Sequence, residues 1–266
     1  MKTPDYIVTC LTYKRINPAI LGMLKRDEHL RISFGVRREE LESGFYNSWM
    51  REDWYKRVSF IPLDNVIDAG DTRQKILDAV LRMGFTYCVM LDDTVENLRD
   101  TRWPLSEPSE VIEDALEAMK MHWLSPIGLE FLRPGCTIEK TRKAYIQAWI
   151  IDVKRLYEAN IQFKPVRDVG WDDFVFSWEV HNAGFYTIGL PCYVRIAKST
   201  YPWANQPGGT HVGEDFDVQK MIDKNNARCE KAKEYLEKTF NATNVSIRKL
   251  TSGGKTFNYV HAEWKD

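Results

Sequence analysis

Two adjacent aspartates, Asp92 and Asp93, follow the apolar run Thr86–Leu91 (TYCVML). Paired carboxylates at the exit of a buried strand repel each other, so such a site calls for a cation or a set of donors. Hard oxygen ligands of this kind suit Mg²⁺ or Mn²⁺ bridging a diphosphate; a turn with a helix-capping Asp is the alternative. A second acidic pair, Asp172-Asp173, lies between Gly170-Trp171 and Phe174-Val175-Phe176. It reads either as a helix N-cap or as a general base beside an indole, in a pocket whose low dielectric raises the carboxyl pKa. Asp71-Thr72-Arg73 falls at an expected helix start, where backbone N–H groups favour anions. Arg73 offers a planar fork for phosphate there, or is a solvated surface side chain. Pro207-Gly208-Gly209-Thr210-His211 presents bare backbone that could approach a phosphate closely. His29, His122, His181 and His261 show no metal-ligand spacing, and there is no H-E-x-x-H, P-loop or G-x-S-x-G.

These residues are strung between alternating strands and helices. Tyr6–Thr12 (YIVTCLT) is an apolar, β-branched run that reads as a buried strand and ends in Tyr13-Lys14-Arg15. Further strands fit 31–36, 57–62 and 86–91. Between the last two, Ile76, Leu77, Val80 and Leu81 share one face of a helix over 71–83, with Asp71 or Thr72 as its cap and Gly84 at its end. Strand, helix and strand within about thirty-five residues, with near-continuous apolar strands, predict a βαβ unit and a parallel sheet. Ligands of such sheets bind beyond the carboxyl ends of the strands, which is where Asp92 and Asp93 fall.

Downstream, a helix opens at Pro108-Ser109 with Val111, Ile112, Ala115, Leu116 and Met119 on one face. Strands fit 125–131 and 144–151, with Asp152 capping a short helix. Helices fit 172–182 and about 215–239, and late strands 245–250 and 257–264. The fold class expected is α/β, a mostly parallel sheet flanked by helices in a single domain with a C-terminal appendage. Trp103, Trp123 and Trp149 read as core.

Composition adds limits. The 266 residues are 44% hydrophobic and 28% charged, ordinary for a globular chain and too ordered in type for a disordered or collagen-like one. Lys plus Arg is 37 against 38 Asp plus Glu, a net charge of −1, so affinity cannot rest on a globally basic surface. The segment 220–266 has ten Lys or Arg and six Asp or Glu, a local +4 that suits a nucleic-acid-facing appendage or a solvated helix face. Five scattered cysteines without a C-x-x-C read as reduced thiols. No apolar run approaches a membrane span and no signal peptide is visible, so a cytoplasmic protein without a membrane partner is expected.

The order of the motifs resembles a glycosyltransferase of the GT-A type. In that pattern a first strand ends in T-Y-x-R, here Thr12-Tyr13-Lys14-Arg15; an Arg-containing turn opens a helix, here Ala69-Gly70-Asp71-Thr72-Arg73-Gln74; and an apolar strand ends acidic, here Val89-Met90-Leu91-Asp92-Asp93-Thr94. Later an acidic pair opens a helix closing in Ala183-Gly184-Phe185-Tyr186. More narrowly the chain resembles the TET-associated glycosyltransferases of bacteriophages and the base J glucosyltransferases, with Asn205-Gln206-Pro207-Gly208-Gly209, Gln219 and a terminal Glu263-Trp264-Lys265 in support. The likeness runs from about residue 6 to 265.

The resemblance implies a GT-A (Rossmann-like) fold, with residues 1–124 binding nucleotide sugar and 125–266 binding acceptor. It implies inverting, metal-dependent transfer of glucose from UDP-glucose to the hydroxyl of a 5-hydroxymethylpyrimidine in DNA, in the cytoplasm of an infected bacterial host if the gene is a phage's. Thr12, Tyr13, Arg15, Arg73, Asp92, Gly208 and Gly209 would bind the nucleotide sugar. Asp92, Asp93 and His211 would hold Mn²⁺ or Mg²⁺, and Asp173, with Asp172, would serve as the base. The third acidic position of the usual motif is Thr94 here, a poorer ligand that His211 could offset. Other readings are a GT-A enzyme with a polysaccharide or protein acceptor, and a silent nucleotide-sugar or DNA-binding module. A nucleotidyltransferase would need a Gly-rich, Lys-containing N-terminal loop that this chain lacks.

Overall fold

A computed structural model describes residues 5–141, 147–166, 172–197, 218–240, 245–252 and 255–261. The first strand is β1 (Tyr6–Leu11), followed by α1 (Leu21–Arg26), β2 (Ile32–Arg37), α2 (Arg38–Glu42), two 3₁₀ turns and β3 (Val58–Leu63). Next come α3 (Ala69–Arg82), β4 (Tyr87–Asp92), β5 (Val95–Asp100), α4 (Pro108–Met121), β6 (Gly128–Glu130) and β7 (Lys140–Thr141). The chain continues with β8 (Ala148–Asp152), α5 (Val153–Glu158), α6 (Asp172–Asn182), β9 (Thr187–Gly189) and β10 (Tyr193–Ala197). Helix α7 (Val218–Phe240) and the hairpin β11 (Ser246–Ser252) and β12 (Lys255–His261) follow.

The central sheet has eight strands in the order β3-β2-β1-β4-β8-β6-β9-β7. Strands β3, β2, β1 and β4 are parallel, β8 runs against both β4 and β6, β9 is parallel to β6, and β7 is antiparallel to β9. The α/β, mostly parallel class expected from the alternating pattern is therefore the one observed. Among the described residues, no helix is long and apolar enough to cross a membrane.

Near-continuous apolarity of the strands has a direct cause. Val89 and Leu91 of β4 pack into one core with β2, α1 and α4, while Cys88 and Met90 pack into a second core with α3, α5 and Trp149. Successive side chains of a strand point to opposite faces, so a strand covered on both sides can carry no polar alternation. A third cluster joins α6, α7 and the hairpin through Val175, Trp178, Cys229, Ala232, Leu236 and Val260. Helix α4 buries the five apolar positions its periodicity set on one face, behind a capping box formed by Glu107 and Glu110.

Three expectations are corrected. The cap of α3 is Asp68, whose side chain accepts from the Asp71 N–H at 2.9 Å, because the helix begins two residues earlier than expected. Asp71 instead accepts from the Ile67 N–H and the Lys75 ammonium. Val95–Asp100, not expected as a strand, pairs antiparallel with β10 in a separate ribbon. Of the three tryptophans expected in the core, only Trp149 is fully buried; Trp103 and Trp123 are 64% and 80% exposed, since both lie in the turns flanking α4 rather than on its apolar face. The cysteines are free, with Cys10, Cys88 and Cys229 buried.

Candidate active site

Parallel pairing sets Leu11 of β1 opposite Asp92 of β4, so Thr12 and Asp93 leave the sheet side by side. The Thr12 hydroxyl donates to one Asp93 oxygen at 3.0 Å, and the Arg15 guanidinium donates to the other at 2.6 Å. Lys14, at φ 49°, reverses the chain between them. The Arg37 guanidinium, at the end of β2, lies over the Tyr13 ring at 4.2 Å.

Arg73 approaches from the first turns of α3. It is 5% exposed, and its guanidinium sits 5.3 Å over the Trp149 ring. One terminal nitrogen donates to Asp92 at 3.0 Å and the other to Asp172, the first residue of α6. Close approach of the helices makes this possible: a Cβ on Gly70 would stand 2.5 Å from the Lys164 carbonyl and 3.2 Å from the Asp172 Cβ. The neighbouring chain is fastened by Asp68, whose second oxygen accepts from the Val166 N–H at 2.6 Å. Among the described residues, the Nε of Arg73 has no hydrogen-bond partner.

Behind the acidic strand end lies a second polar layer. Gln147, at φ 67°, accepts the Asp92 N–H on its backbone carbonyl at 2.6 Å. Its side chain donates to the Thr94 hydroxyl at 3.4 Å and accepts from Arg195 Nε at 3.1 Å. Arg195 in turn donates to Glu130 at 3.2 Å and is almost wholly buried. Thr94, the departure from a three-acid motif, is therefore the hydroxyl that holds this layer.

Charge in the site is only partly compensated. Burial pushes the Asp93 carboxyl up to about 6, against the pull of Arg15 and Thr12. Burial also raises Asp92, which Arg73 opposes. For Arg73, burial acts against the charged form, but Asp172 and Asp92 outweigh it and hold the guanidinium protonated. Asp173, half-buried behind Asp172, is pushed up to about 7, first by burial and then by the Asp172 charge, with Arg73 pulling the other way. Two adjacent carboxylates thus have different environments: Asp172 is committed to an arginine, whereas Asp173, among the described residues, accepts from the N–H of Phe174 at 2.9 Å.

Thr12, Tyr13, Arg15, Arg73, Asp92, Asp93 and Asp172 all line one cleft of about 620 Å³ at the carboxyl ends of β1, β2 and β4. Asp173 is adjacent to that wall and not part of it among the described residues. Gly208, Gly209 and His211 lie outside the described residues. The cleft also includes residues that sequence reasoning missed: Asp68, Arg37, and Lys224 and Arg228 of α7. The last two stand one helical turn apart, a signal visible in the sequence; nothing in the sequence says what that face meets.

Asp92 and Asp93 are the carboxylates that the resemblance would give to a divalent ion. Each already accepts from an arginine, and no group of three or more His, Cys, Asp or Glu that could hold a metal ion occurs among the described residues. The described donor set does not by itself make a metal centre.

No family model matches the chain, and no curated protein does. Among solved structures, the chain is similar to S. aureus TarS residues 1–349 in complex with UDP, at 12% identity and a TM-score of 0.47, over 87% of this chain and 72% of that one. It is similar to a cytidylyltransferase from Leptospira borgpetersenii serovar Hardjo-bovis at 13% identity and a TM-score of 0.45, over 90% and 96%. It is also similar to GalNAc-T7 with UDP, GalNAc and Mn²⁺ at 9% identity and a TM-score of 0.45, over 86% and 50%. At such identities the functional reading rests on the site geometry.

Proposed function

We propose that the protein is a nucleotide-sugar-dependent glycosyltransferase that moves a hexose, glucose from UDP-glucose in the first instance, to the hydroxyl of a 5-hydroxymethylpyrimidine in DNA. The observation that carries the transferase reading is the convergence on one cleft of a Thr–Arg pair after β1, an Arg at the start of α3, the acidic end of β4 and the acidic start of α6. The DNA acceptor is supported by the motif resemblance and by the local +4 of residues 220–266.

The roles follow from the chemistry. Tyr13, backed by Arg37, offers a ring face for the nucleobase, and Thr12 and Arg15 hold the Asp93 carboxylate in place in the cleft. Transfer breaks the bond between the anomeric carbon and the diphosphate oxygen and forms one to the acceptor oxygen. The acceptor proton passes to Asp173, whose raised pKa makes it a better proton acceptor than a carboxylate spent on an arginine. Attack from the face opposite the leaving group inverts the anomeric carbon. A 5-hydroxymethyl group inside a duplex is hard for a carboxylate at the start of α6 to reach, so extrusion of the nucleotide is part of the proposal. The resemblance assigns Mn²⁺ or Mg²⁺ to Asp92, Asp93 and His211, the last outside the described residues; the part of the described chain is to place two carboxylates in the cleft.

The test is incubation with UDP-glucose and Mn²⁺ or Mg²⁺, using DNA that contains 5-hydroxymethylcytosine, 5-hydroxymethyluracil or neither. Digestion to nucleosides and mass spectrometry then look for an added hexose. A hexose on a modified base, lost in Asp173→Ala, supports the proposal. UDP release without any DNA product moves the acceptor to another class, and no release from any nucleotide sugar removes the transferase reading.

A further inference from the structure

Helix α7 is fastened away from the sheet, yet one flank of it reaches the cleft. Its buried side carries Ile222, Cys229, Ala232 and Leu236. Asn225 donates to the Asn258 carbonyl at 2.8 Å, and Asn226 accepts from the Asn258 N–H at 2.8 Å, tying the helix to the hairpin. With that side and those two positions occupied, Lys224 and Arg228 fall one turn apart on the flank that lines the cleft.

The carboxylates of the opposite wall already have partners. Asp93 is matched by Arg15 and Thr12, Asp92 and Asp172 share Arg73, and Asp68 accepts two backbone N–H groups. Arg228 is half-buried, and among the described residues it makes no hydrogen bond or ion pair. A guanidinium that lines a cleft and has no ion-pair partner among the described residues is a donor fork open to an anionic ligand, and its planar geometry matches phosphate oxygens. Negative charge that develops on a leaving diphosphate is stabilised by cations that face it.

We propose that Arg228, with Lys224 beside it, binds the diphosphate of the nucleotide sugar across the cleft from Asp92 and Asp93. The assignment rests on the donor reading given above. It makes the C-terminal helix part of the donor site rather than only an appendage toward the acceptor.

Titration calorimetry with uridine, UMP and UDP, at low and high salt, tests it on the full chain. Arg228→Ala is expected to weaken UDP about tenfold or more, leave uridine within about twofold, and flatten the salt dependence. Lys224→Ala should do so less, and Arg228→Lys should recover part of the loss. Thermal melting of each variant should match the parent, because neither side chain belongs to the core.

Unchanged UDP affinity in Arg228→Ala, with a parent that binds UDP, overturns the proposal and leaves the donor reading standing. Equal weakening of uridine and UDP also overturns it, since a lost charge contact acts on phosphate alone. So does loss of DNA retention with UDP affinity intact, which assigns these cations to the acceptor's backbone phosphates. A parent that binds none of the three probes removes the donor reading and the proposal with it.

Discussion

Arg73 and Asp172 lie 99 residues apart in the chain and form an ion pair in the cleft, with the second arm of the same guanidinium on Asp92. One side chain from α3 thereby locks the end of β4 to the start of α6. Both carboxylates depend on it, because each is largely withdrawn from water. Breaking a buried pair by removing one partner leaves an uncompensated charge, which costs more than the pair itself contributes. Arg73→Ala is therefore expected to destabilise the fold by about 3–5 kcal/mol, read from urea unfolding. Adding Asp172→Asn to Arg73→Ala should recover part of that loss. A loss within about 0.5 kcal/mol, the range of an ordinary surface substitution, would show that the clamp is solvated in solution.

Asp173, the proposed base, is expected to give a pH dependence of opposite sign for rate and stability. As a base it works only when ionised, so kcat/KM should rise with pH and level off above a midpoint near the value of about 7 to which burial and Asp172 push it. Asp173→Asn should lower the rate by roughly 10²–10⁴-fold and abolish that rise.

For stability the folded protein holds the Asp173 proton more tightly than the unfolded chain does, since its pKa is raised from 3.8 to about 7. The contribution is fully present below about 4 and lost as pH climbs through about 7. Chemical denaturation across that window should show the parent losing stability relative to Asp173→Asn. A constant difference between the two proteins would count against a raised pKa.

Gly70 is needed for contact rather than for backbone conformation. Its missing Cβ is what lets α3 approach the Lys164 carbonyl and Asp172. Gly70→Ala, otherwise favourable inside a helix, is expected to destabilise by about 1–3 kcal/mol and to weaken UDP binding, because the displaced helix carries Arg73 with it. Unfolding curves and UDP titration on the same variant check both.

Thr94 invites replacement by the acid that the resemblance expects. Thr94→Asp would bring a third carboxylate to a strand end where Asp92 and Asp93 are already raised by burial, and it would remove the hydroxyl that receives Gln147. The expected outcome is a loss of about 1–3 kcal/mol rather than tighter metal binding. Melting with and without Mn²⁺ decides it: a Mn²⁺-dependent gain in the variant larger than the parent's would overturn this view of Thr94.

Patterns with a short range were legible in the chain itself. The five apolar positions of α4, the bounds of α6, the Asp152 cap of α5 and the apolar run ending at Asp92 and Asp93 all follow from helix or strand periodicity and from capping chemistry. So did the parallel sheet, since strands covered on both faces leave no polar alternation. What the sequence could not decide were pairings between side chains far apart along it. Asp172 and Asp173 are equivalent as letters; only the arrival of Arg73 commits one to an ion pair and leaves the other raised. Thr94 looks like a weakened ligand until Gln147 and Arg195 are seen behind it. Lys224 and Arg228 are an ordinary polar helix face until the third core cluster turns that flank to the cleft. Periodicity reports which face of an element is buried; the partner that buries it, and the charge that results, are set by packing between elements that the chain brings together only when it folds.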